Sequence, residues 1–489
     1  MHQVHRLGSK PQAHDSATKR RADDGRAGDL RRVIGVGPEA QPIAALATGS
    51  GAAAVAVIRL SGHSCHQLLL PCLNWADRWQ ARQLRVATIS DPRTGEHLDD
   101  AMVVLFGGPK SFTGEDSAEI QCHGGPYIIR RILELLFRQG FRPAEPGEFT
   151  RRAFLNGKLD LTAAEGIKAL VEAQSHQQWL AARHLTEGKL KSAIENLRRL
   201  LVEALAYLAA QIDFPDEGDT AHVDLVPVRE RVLEAVNAIT SLIGSYDDGR
   251  VASQGLTVAL FGAPNAGKST LMNTLLGRER AIVTPIAGTT RDYLEESCLI
   301  DGRLIRLIDM AGVRASQDPV EAMGVEKARQ LAREADLVLF LVASDQTESP
   351  EAQLAAWTGE LLPRSHLCIA TKADLSAPTW ARSPNWIQIS CQSGTGIREL
   401  SLALARQVDL HVGNLAAEHA YVTSARQHHA LRNALEGLNK FNLADADGAY
   451  VELLAFELQE SVKALRTIVG EIDTEDVLDK VFSQFCVGK

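Results

Sequence analysis

The chain has no Cys-x-x-Cys pair: its seven cysteines, at positions 65, 72, 122, 298, 368, 391 and 486, are scattered along 489 residues. Zinc-ribbon and disulfide-framework readings have little to rest on, and reduced thiols in the cytoplasm are the expectation. No apolar run is long enough to cross a bilayer, so no membrane is expected among the partners. Excess positive charge is missing too. Lys and Arg total 52 against 61 Asp and Glu, a formal net charge of −9. A protein of this balance that acts on RNA must take its phosphate contacts from a local basic patch or from a partner. Residues 1–40 are poor in large apolar residues and rich in Arg, Asp, Gly and Ala. Such a segment buries too little surface to fold and reads as a disordered N-terminal extension. Its acids Asp15, Asp23, Asp24 and Asp29 argue against a transit peptide. Repeats and low-complexity tracts are absent.

The rest is ordinary in composition, 45% hydrophobic and 23% charged, and long enough for two to four domains. Residues 41–157 alternate short β-type runs, such as Ala54–Ile58, Ala101–Leu105 and Ala118–Cys122, with turns and one helical stretch from Tyr127 to Gln139. This reads as an α+β unit. Residues 158–254 turn helical, with apolar residues at three- and four-residue spacing from Trp179 to Ile212. Residues 255–412 alternate strand-like runs with helices, the pattern of a parallel sheet wrapped by helices. The strand-like runs are Leu256–Phe261, Leu304–Ile308, Leu337–Val342 and Leu367–Ala370. Residues 413–489 are helical again, through Leu431–Leu443, Gly448–Val469 and Glu475–Phe485. Helix, α/β unit, helix predicts an α/β domain inserted into a discontinuous helical domain, in a loop where insertions are tolerated.

The α/β unit opens with Gly262-Ala-Pro-Asn-Ala-Gly-Lys-Ser269, placed between a strand and a helix. This is the spacing of a phosphate-binding loop: backbone N–H groups wrap the phosphates, Lys268 adds a point charge, and the Ser269 hydroxyl ligates Mg2+. Gly288-Thr-Thr-Arg-Asp292 follows in a polar stretch, and its Thr290 suits the Mg2+ shell. Asp309-Met-Ala-Gly312 comes after a strand; Asp309 can hold Mg2+ through water and Gly312 can sense the γ-phosphate. Thr371-Lys-Ala-Asp374 follows another strand, and Asp374 can accept the guanine N1 and N2 hydrogens. Ser390 stands where a loop would close over the base. In this order the pieces point to a P-loop GTPase domain, with GTP preferred to ATP. The expected nucleotide contacts are Asn265, Ala266, Gly267, Lys268, Ser269 and Thr270 in the loop; Thr284, Pro285, Ile286, Ala287, Gly288, Thr289 and Thr290; Asp309, Met310, Ala311 and Gly312; and Thr371, Lys372, Asp374 and Ser390.

Two positions depart from the common forms DTAG and NKxD: Met310 replaces Thr and Thr371 replaces Asn. Val313 stands where Ras has its water-orienting Gln, and a valine cannot orient water. Hydrolysis therefore needs another group. Asn265 suits a monovalent cation that brings positive charge to the phosphates. Glu321 reads either as the group that positions the attacking water or as a solvated surface carboxylate.

With these residues assembled, the chain resembles the MnmE (TrmE) family of tRNA modification GTPases over residues 41–489. The most specific pieces lie outside the GTPase motifs: Val57–Gly62 (VIRLSG), Ser111–Asp116 (SFTGED), His123–Pro126 (HGGP), Pro146–Leu161, Ile212–Glu217 and the terminal Phe485-Cys-Val-Gly-Lys489. A ribosome-assembly GTPase would share the central domain, but would carry a basic RNA-binding domain and lack such an end. A scaffold with a vestigial switch is disfavoured by the intact phosphate loop, Thr290 and Asp309. One stretch departs from the family: Thr48-Gly-Ser-Gly-Ala-Ala53 stands where a Pro-Pro-Gly-Arg-Gly-Gly turn is usual.

The resemblance implies an N-terminal domain that binds a reduced folate and dimerises. Arg59, Glu119, Lys158 and Lys489 would contact 5,10-methylene- or 5-formyl-tetrahydrofolate; without the resemblance all four read as surface charges. It implies K+ held by Asn265, Thr284, Ile286 and Thr289, and Mg2+ held by Ser269 and Thr290. Lys268, Glu321 and Cys486 would take part in catalysis, although a buried tail thiol is an equal reading of Cys486. The implied assembly is a homodimer that joins the FAD-containing partner MnmG in a heterotetramer and acts on tRNA. The implied reaction adds an aminomethyl or carboxymethylaminomethyl group to C5 of the wobble uridine.

Overall fold

The computed structural model describes residues 41–75, 79–213, 225–278, 294–309, 333–346, 365–375, 380, 385–413, 420–471 and 475–488. Two compact units divide the chain. One runs up to Asp160 and takes in the C-terminal end from Asp473; the other is Leu161–Ile472.

In the first unit, strands β1 (Ile43–Leu46), β2 (Val55–Ser61), β3 (Arg85–Ser90), β4 (His97–Phe106), β5 (Ser117–His123) and β6 (Arg142–Pro143) form one six-stranded sheet in the order β3-β4-β5-β2-β1-β6. Helices α1 (Cys65–Leu69), α2 (Pro126–Arg138) and α3 (Glu148–Leu155) accompany it. Alternation along a strand sends successive side chains to opposite faces. Ile58 and Leu60 of β2 join Val103, Leu105 and Ile120 in a core closed by Ile132 and Leu135 of α2. The other face carries Arg59 and, opposite it in register on β5, Glu119. Phe149 of α3 packs on that side with Ile43 and Ala45.

The second unit begins with α4 (Leu161–Glu172), α5 (His176–Thr186), α6 (Lys189–Asp213), α7 (Val226–Gly244) and α8 (Tyr246–Gln254). The helical period expected from Trp179 to Ile212 is interrupted: Gly188 takes a left-handed φ of +75° and separates α5 from α6. The nucleotide sheet follows, made of β7 (Leu256–Gly262), β8 (Leu294–Ile300), β9 (Arg303–Asp309), β10 (Leu337–Ala343), β11 (His366–Thr371) and β12 (Trp386–Gln388), with α9 (Lys268–Arg278) and α10 (Ile397–Val412). Its order is β12-β11-β10-β7-β9-β8. The sheet is parallel as expected except at its edge, where β8 pairs β9 antiparallel. Leu260, Leu339 and Ile369 make its core with Leu271 and Leu400.

After the sheet come α11 (Ala425–Ala446) and α12 (Val451–Val469). Ser424 caps α11 in a reciprocal capping box with Gln427. Leu201 of α6, Val232 of α7, Leu438 of α11 and Leu458 of α12 share one core. The helices on either side of the GTPase domain thus form one discontinuous domain with the sheet inserted between them. The last helix, α13 (Glu475–Phe482), ends three residues before the expected Phe485 and belongs to the first unit. Among the described residues no helix is long and apolar enough to cross a membrane.

Candidate nucleotide site and tail-docking site

β7 runs into the phosphate loop, and α9 leaves it at Lys268. Asn265 sits at the turn of the loop with a left-handed φ of +65°, a conformation Asn tolerates better than most side chains. The Lys268 ammonium curls back and donates to the Gly262 carbonyl at 2.8 Å and the Ala263 carbonyl at 3.0 Å. Burial pushes its pKa down, and the Asp309 carboxylate opposes that shift. The Ser269 hydroxyl donates to Asp309 Oδ2 at 2.9 Å. Asp309 ends β9, beside β7, so adjacent strands bring the two oxygens together. A hydroxyl and a carboxylate at that separation are the hard oxygen donors that Mg2+ takes, directly or through water, and they fit the ion.

On the far side of the loop, the buried Thr371 donates its hydroxyl to the Ala266 carbonyl at 2.7 Å. Lys372 turns the chain with φ +56° and reaches Asp345 Oδ2 at 2.9 Å. Asp374 is exposed beyond that turn. The Ala373 N–H donates to the Ile389 carbonyl, which holds the Asp374 turn against the strand leading to the buried Ser390. Of the residues expected at this site, Thr284–Thr290, Met310–Gly312 and Glu321 lie outside the described residues.

In the first unit, Arg59 Nε and Nη2 donate to Glu119 Oε1 at 3.1 and 3.0 Å. Arg59 Nη1 donates to the Gly488 carbonyl of the C-terminal tail at 3.4 Å. The guanidinium also lies 5.7 Å from the ring centre of Phe112 and 5.9 Å from that of Phe149. Neither aromatic was singled out as a site residue, yet both sit inside the SFTGED and Pro146–Leu161 motifs. An exposed Phe among small polar residues was the available signal for Phe112. Lys158 is exposed and donates to the Pro109 carbonyl at 3.0 Å, on the loop that carries Phe112. Lys489 lies outside the described residues.

Several contacts bring the tail to Arg59. The ring of Phe482 lies 6.2 Å from that of Phe154 on α3, and Arg151 pairs with Asp479 at 3.0 Å. The Gly147 N–H donates to the Cys486 carbonyl at 3.3 Å, and Val487 forms an antiparallel bridge with Pro146. Gly488 then turns with φ +92°; a Cβ there would stand 2.2 Å from the Leu46 carbonyl, so the backbone passes where only glycine fits. The Cys486 side chain is exposed, which does not match its reading as a buried thiol. The arrangement is a planar cation and a carboxylate beside aromatic rings and a tail carbonyl, a set suited to a flat heterocycle with N–H donors and an acid group.

Comparison with known proteins agrees across the chain. Residues 161–486 match the model of the MnmE helical domain, and residues 42–158 that of the GTP-binding protein TrmE N-terminus. The chain is 39% identical over 450 residues to the tRNA modification GTPase MnmE of Thermus thermophilus, covering 92% of this chain and 99% of that protein. It is 38% identical over 454 residues to the protein of the same description from Aquifex aeolicus, covering 92% of this chain and 100% of that one. The solved G domain of the T. maritima FeoB iron transporter matches at 24% identity over 31% of this chain and 98% of its own, with a TM-score of 0.25. So low a score adds nothing to the assignment.

Proposed function

The chain belongs to the MnmE family of tRNA modification GTPases, and from that premise we propose that it is a K+-stimulated GTPase that modifies the wobble uridine together with the flavoprotein MnmG. As a member of that family it is a GTP hydrolase that acts in tRNA modification, with GTP and Mg2+ as nucleotide and metal. The finer reading assigns roles to its residues. Lys268 exchanges its loop carbonyls for the β- and γ-phosphate oxygens, because the phosphates offer charge that carbonyls do not. Ser269 and Thr290 hold Mg2+, with Asp309 acting through water. Asn265, Thr284, Ile286 and Thr289 hold K+. Asp374 accepts the guanine N–H groups. Glu321 orients the water that attacks the γ-phosphorus, and the β–γ bridging oxygen leaves.

In the first unit, Glu119 accepts hydrogen bonds from the ring of a reduced folate, and Arg59, Lys158 and Lys489 pair with its carbonyl or carboxylate oxygens. The folate would supply the one-carbon unit, FAD and NADH on MnmG the electrons, and ammonium or glycine the nitrogen. Cys486 sits beside this site as a candidate participant. The homodimer, the heterotetramer with MnmG and the cytoplasmic location belong to the same reading. The observation that supports it is the tail: the Gly488 carbonyl accepts from Arg59, which also pairs with Glu119. Two measurements test it. Steady-state GTP hydrolysis in KCl and NaCl at equal ionic strength should be faster in K+, because Val313 leaves charge stabilisation to the cation; equal rates would sink the K+ role. Mass spectrometry of tRNA from a deletion strain should show unmodified wobble uridine.

A further inference from the structure

We propose that Ser61, Thr113 and Glu115 are positioning residues: a buried chain of hydrogen bonds from Arg152 to Thr113 holds the loop between β4 and β5 so that the Phe112 ring stands against the Arg59 guanidinium. The ligand, a reduced folate, is that of the Arg59 reading above, on which this role rests. The chain of bonds starts on α3. Arg152 Nη1 donates to Glu115 Oε2 at 3.0 Å, and its Nη2 donates to Glu148 Oε1 at 2.9 Å. The Ser61 hydroxyl donates to the same Glu115 oxygen at 2.9 Å. A carboxylate only accepts, so the single Ser61 proton goes there, and the Thr113 hydroxyl, 2.6 Å away, donates to Ser61 Oγ. The Glu115 N–H closes the turn onto Thr113 Oγ1 at 3.3 Å.

Stability alone does not account for this chain of bonds. Ser61 and Thr113 are buried, and the side chains of Arg152 and Glu115 are 5% and 10% exposed. Charges at this depth cost desolvation that their attraction barely offsets, and apolar residues of similar volume would pack as well. What the polar groups add is geometry. Residues 107–116 are a run of turns and bends between β4 and β5. The Gly108 N–H donates to Asp116 Oδ1 at 2.9 Å and closes the base of the loop. Asn156 Nδ2, at the end of α3, donates to the Thr113 carbonyl at 2.7 Å. Ser61 and Arg59 stand two residues apart on β2, so they face the same side of the sheet. Tying Thr113 to Ser61 therefore sets its neighbour Phe112 beside Arg59, with 5.7 Å from ring centre to guanidinium carbon. The Phe112 residue is 41% exposed. An open aromatic ring beside a cation that is itself paired with Glu119 forms a wall for a flat heterocycle.

The test reads loop and ligand separately, in full-length protein. Thr113→Val removes the hydroxyl at nearly constant shape, and Thr113→Ser keeps it. Losing this buried hydrogen bond should speed hydrogen exchange of the 107–116 amides about five- to tenfold and weaken 5-formyltetrahydrofolate binding by a similar factor. The serine variant should stay close to wild type in both. Phe112→Ala should weaken folate binding too, and adding Thr113→Val to it should weaken binding no further, because the hydroxyl acts through the ring. Additive losses would mean a general structural role and overturn the proposal. So would wild-type exchange in the valine variant, or a serine variant no better than valine. Unchanged folate affinity in the valine variant, where Arg59→Ala loses it, overturns the proposal as well. Faster exchange in the valine variant, with folate affinity unchanged in both it and Arg59→Ala, upholds the tie on the loop and overturns the folate reading instead. Melting curves monitor folding, and Ser61→Ala removes the same bond from its other end if the valine variant does not fold.

Discussion

Glu148 is 6% exposed, yet it is ionised because both Arg142 and Arg152 point at it and the Glu145 N–H adds a third donor. Burial pushes its pKa up; the hydrogen bonds from Arg142 and Glu145 and the charge of Arg152 outweigh that and leave it below 4.5. A depressed carboxylate stabilises the fold above its unfolded pKa and loses that contribution as pH falls through the folded value. Stability of the first unit should therefore hold above pH 4.5 and fall below it. Glu148→Ala should cost about 3 kcal/mol, the low end for a broken buried pair, since Arg142 loses its carboxylate while Arg152 keeps Glu115. Melting curves between acid and neutral pH should also show a flatter acid limb in the variant; an equally steep limb would mean that other acids carry the effect. At this scale some proximities were readable from sequence. The order of the GTPase motifs places Ser269 near Asp309. The resemblance brought the tail and Arg59 to one ligand; that the Gly488 carbonyl is the atom that meets Arg59 was not readable, because residue types and spacing do not say which atoms of a tail touch a surface.

At the scale of elements, α8 is a short helix of nine residues that leads into β7. It is clamped from both sides. Arg250 pairs with Asp336, which also accepts from the Thr257 N–H at 2.8 Å, and Asp248 meets His411 Nδ1 at 2.9 Å. Val251 enters the core of the nucleotide sheet. On the other side, Ser253 donates to the Thr423 carbonyl at 3.4 Å, and a Cβ on Gly249 would stand 2.1 Å from the Val422 carbonyl. Gly249→Ala should force the helix away from the Val422 backbone and cost about 1–3 kcal/mol, the usual range for overpacking. Thermal melting checks this, and an unchanged midpoint would show that the backbone yields easily. Long periodic helices and buried apolar strands were legible, because each carries many residues of one pattern. The mixed-pattern β8 was not, since its conformation is set by what it pairs with.

For the whole molecule, the tail and the phosphate loop belong to different units. Removing residues 486–489 takes away the Gly147–Cys486 and Pro146–Val487 contacts and the Gly488 carbonyl on Arg59. GTP hydrolysis should stay near wild type. Binding of 5-formyltetrahydrofolate should weaken by about an order of magnitude or more, the loss expected when a charge-assisted bond and its packing go together. Calorimetry on the truncated protein measures it; unchanged folate affinity would place the tail's role elsewhere. By itself the sequence determined the α+β, helical, α/β, helical succession and the chemistry of the phosphate loop. Both are written in local periodicity and in residue types at fixed spacing. Only the tertiary structure decided which side chains of the helices before and after the insertion share one core, which atoms of β1 and α3 the tail meets, and that the Thr371 hydroxyl faces Ala266. These depend on contacts between residues far apart in the chain, where closing a loop costs entropy that grows only slowly with its length. Spacing therefore cannot say which distant partner wins; packing and hydrogen-bond satisfaction do.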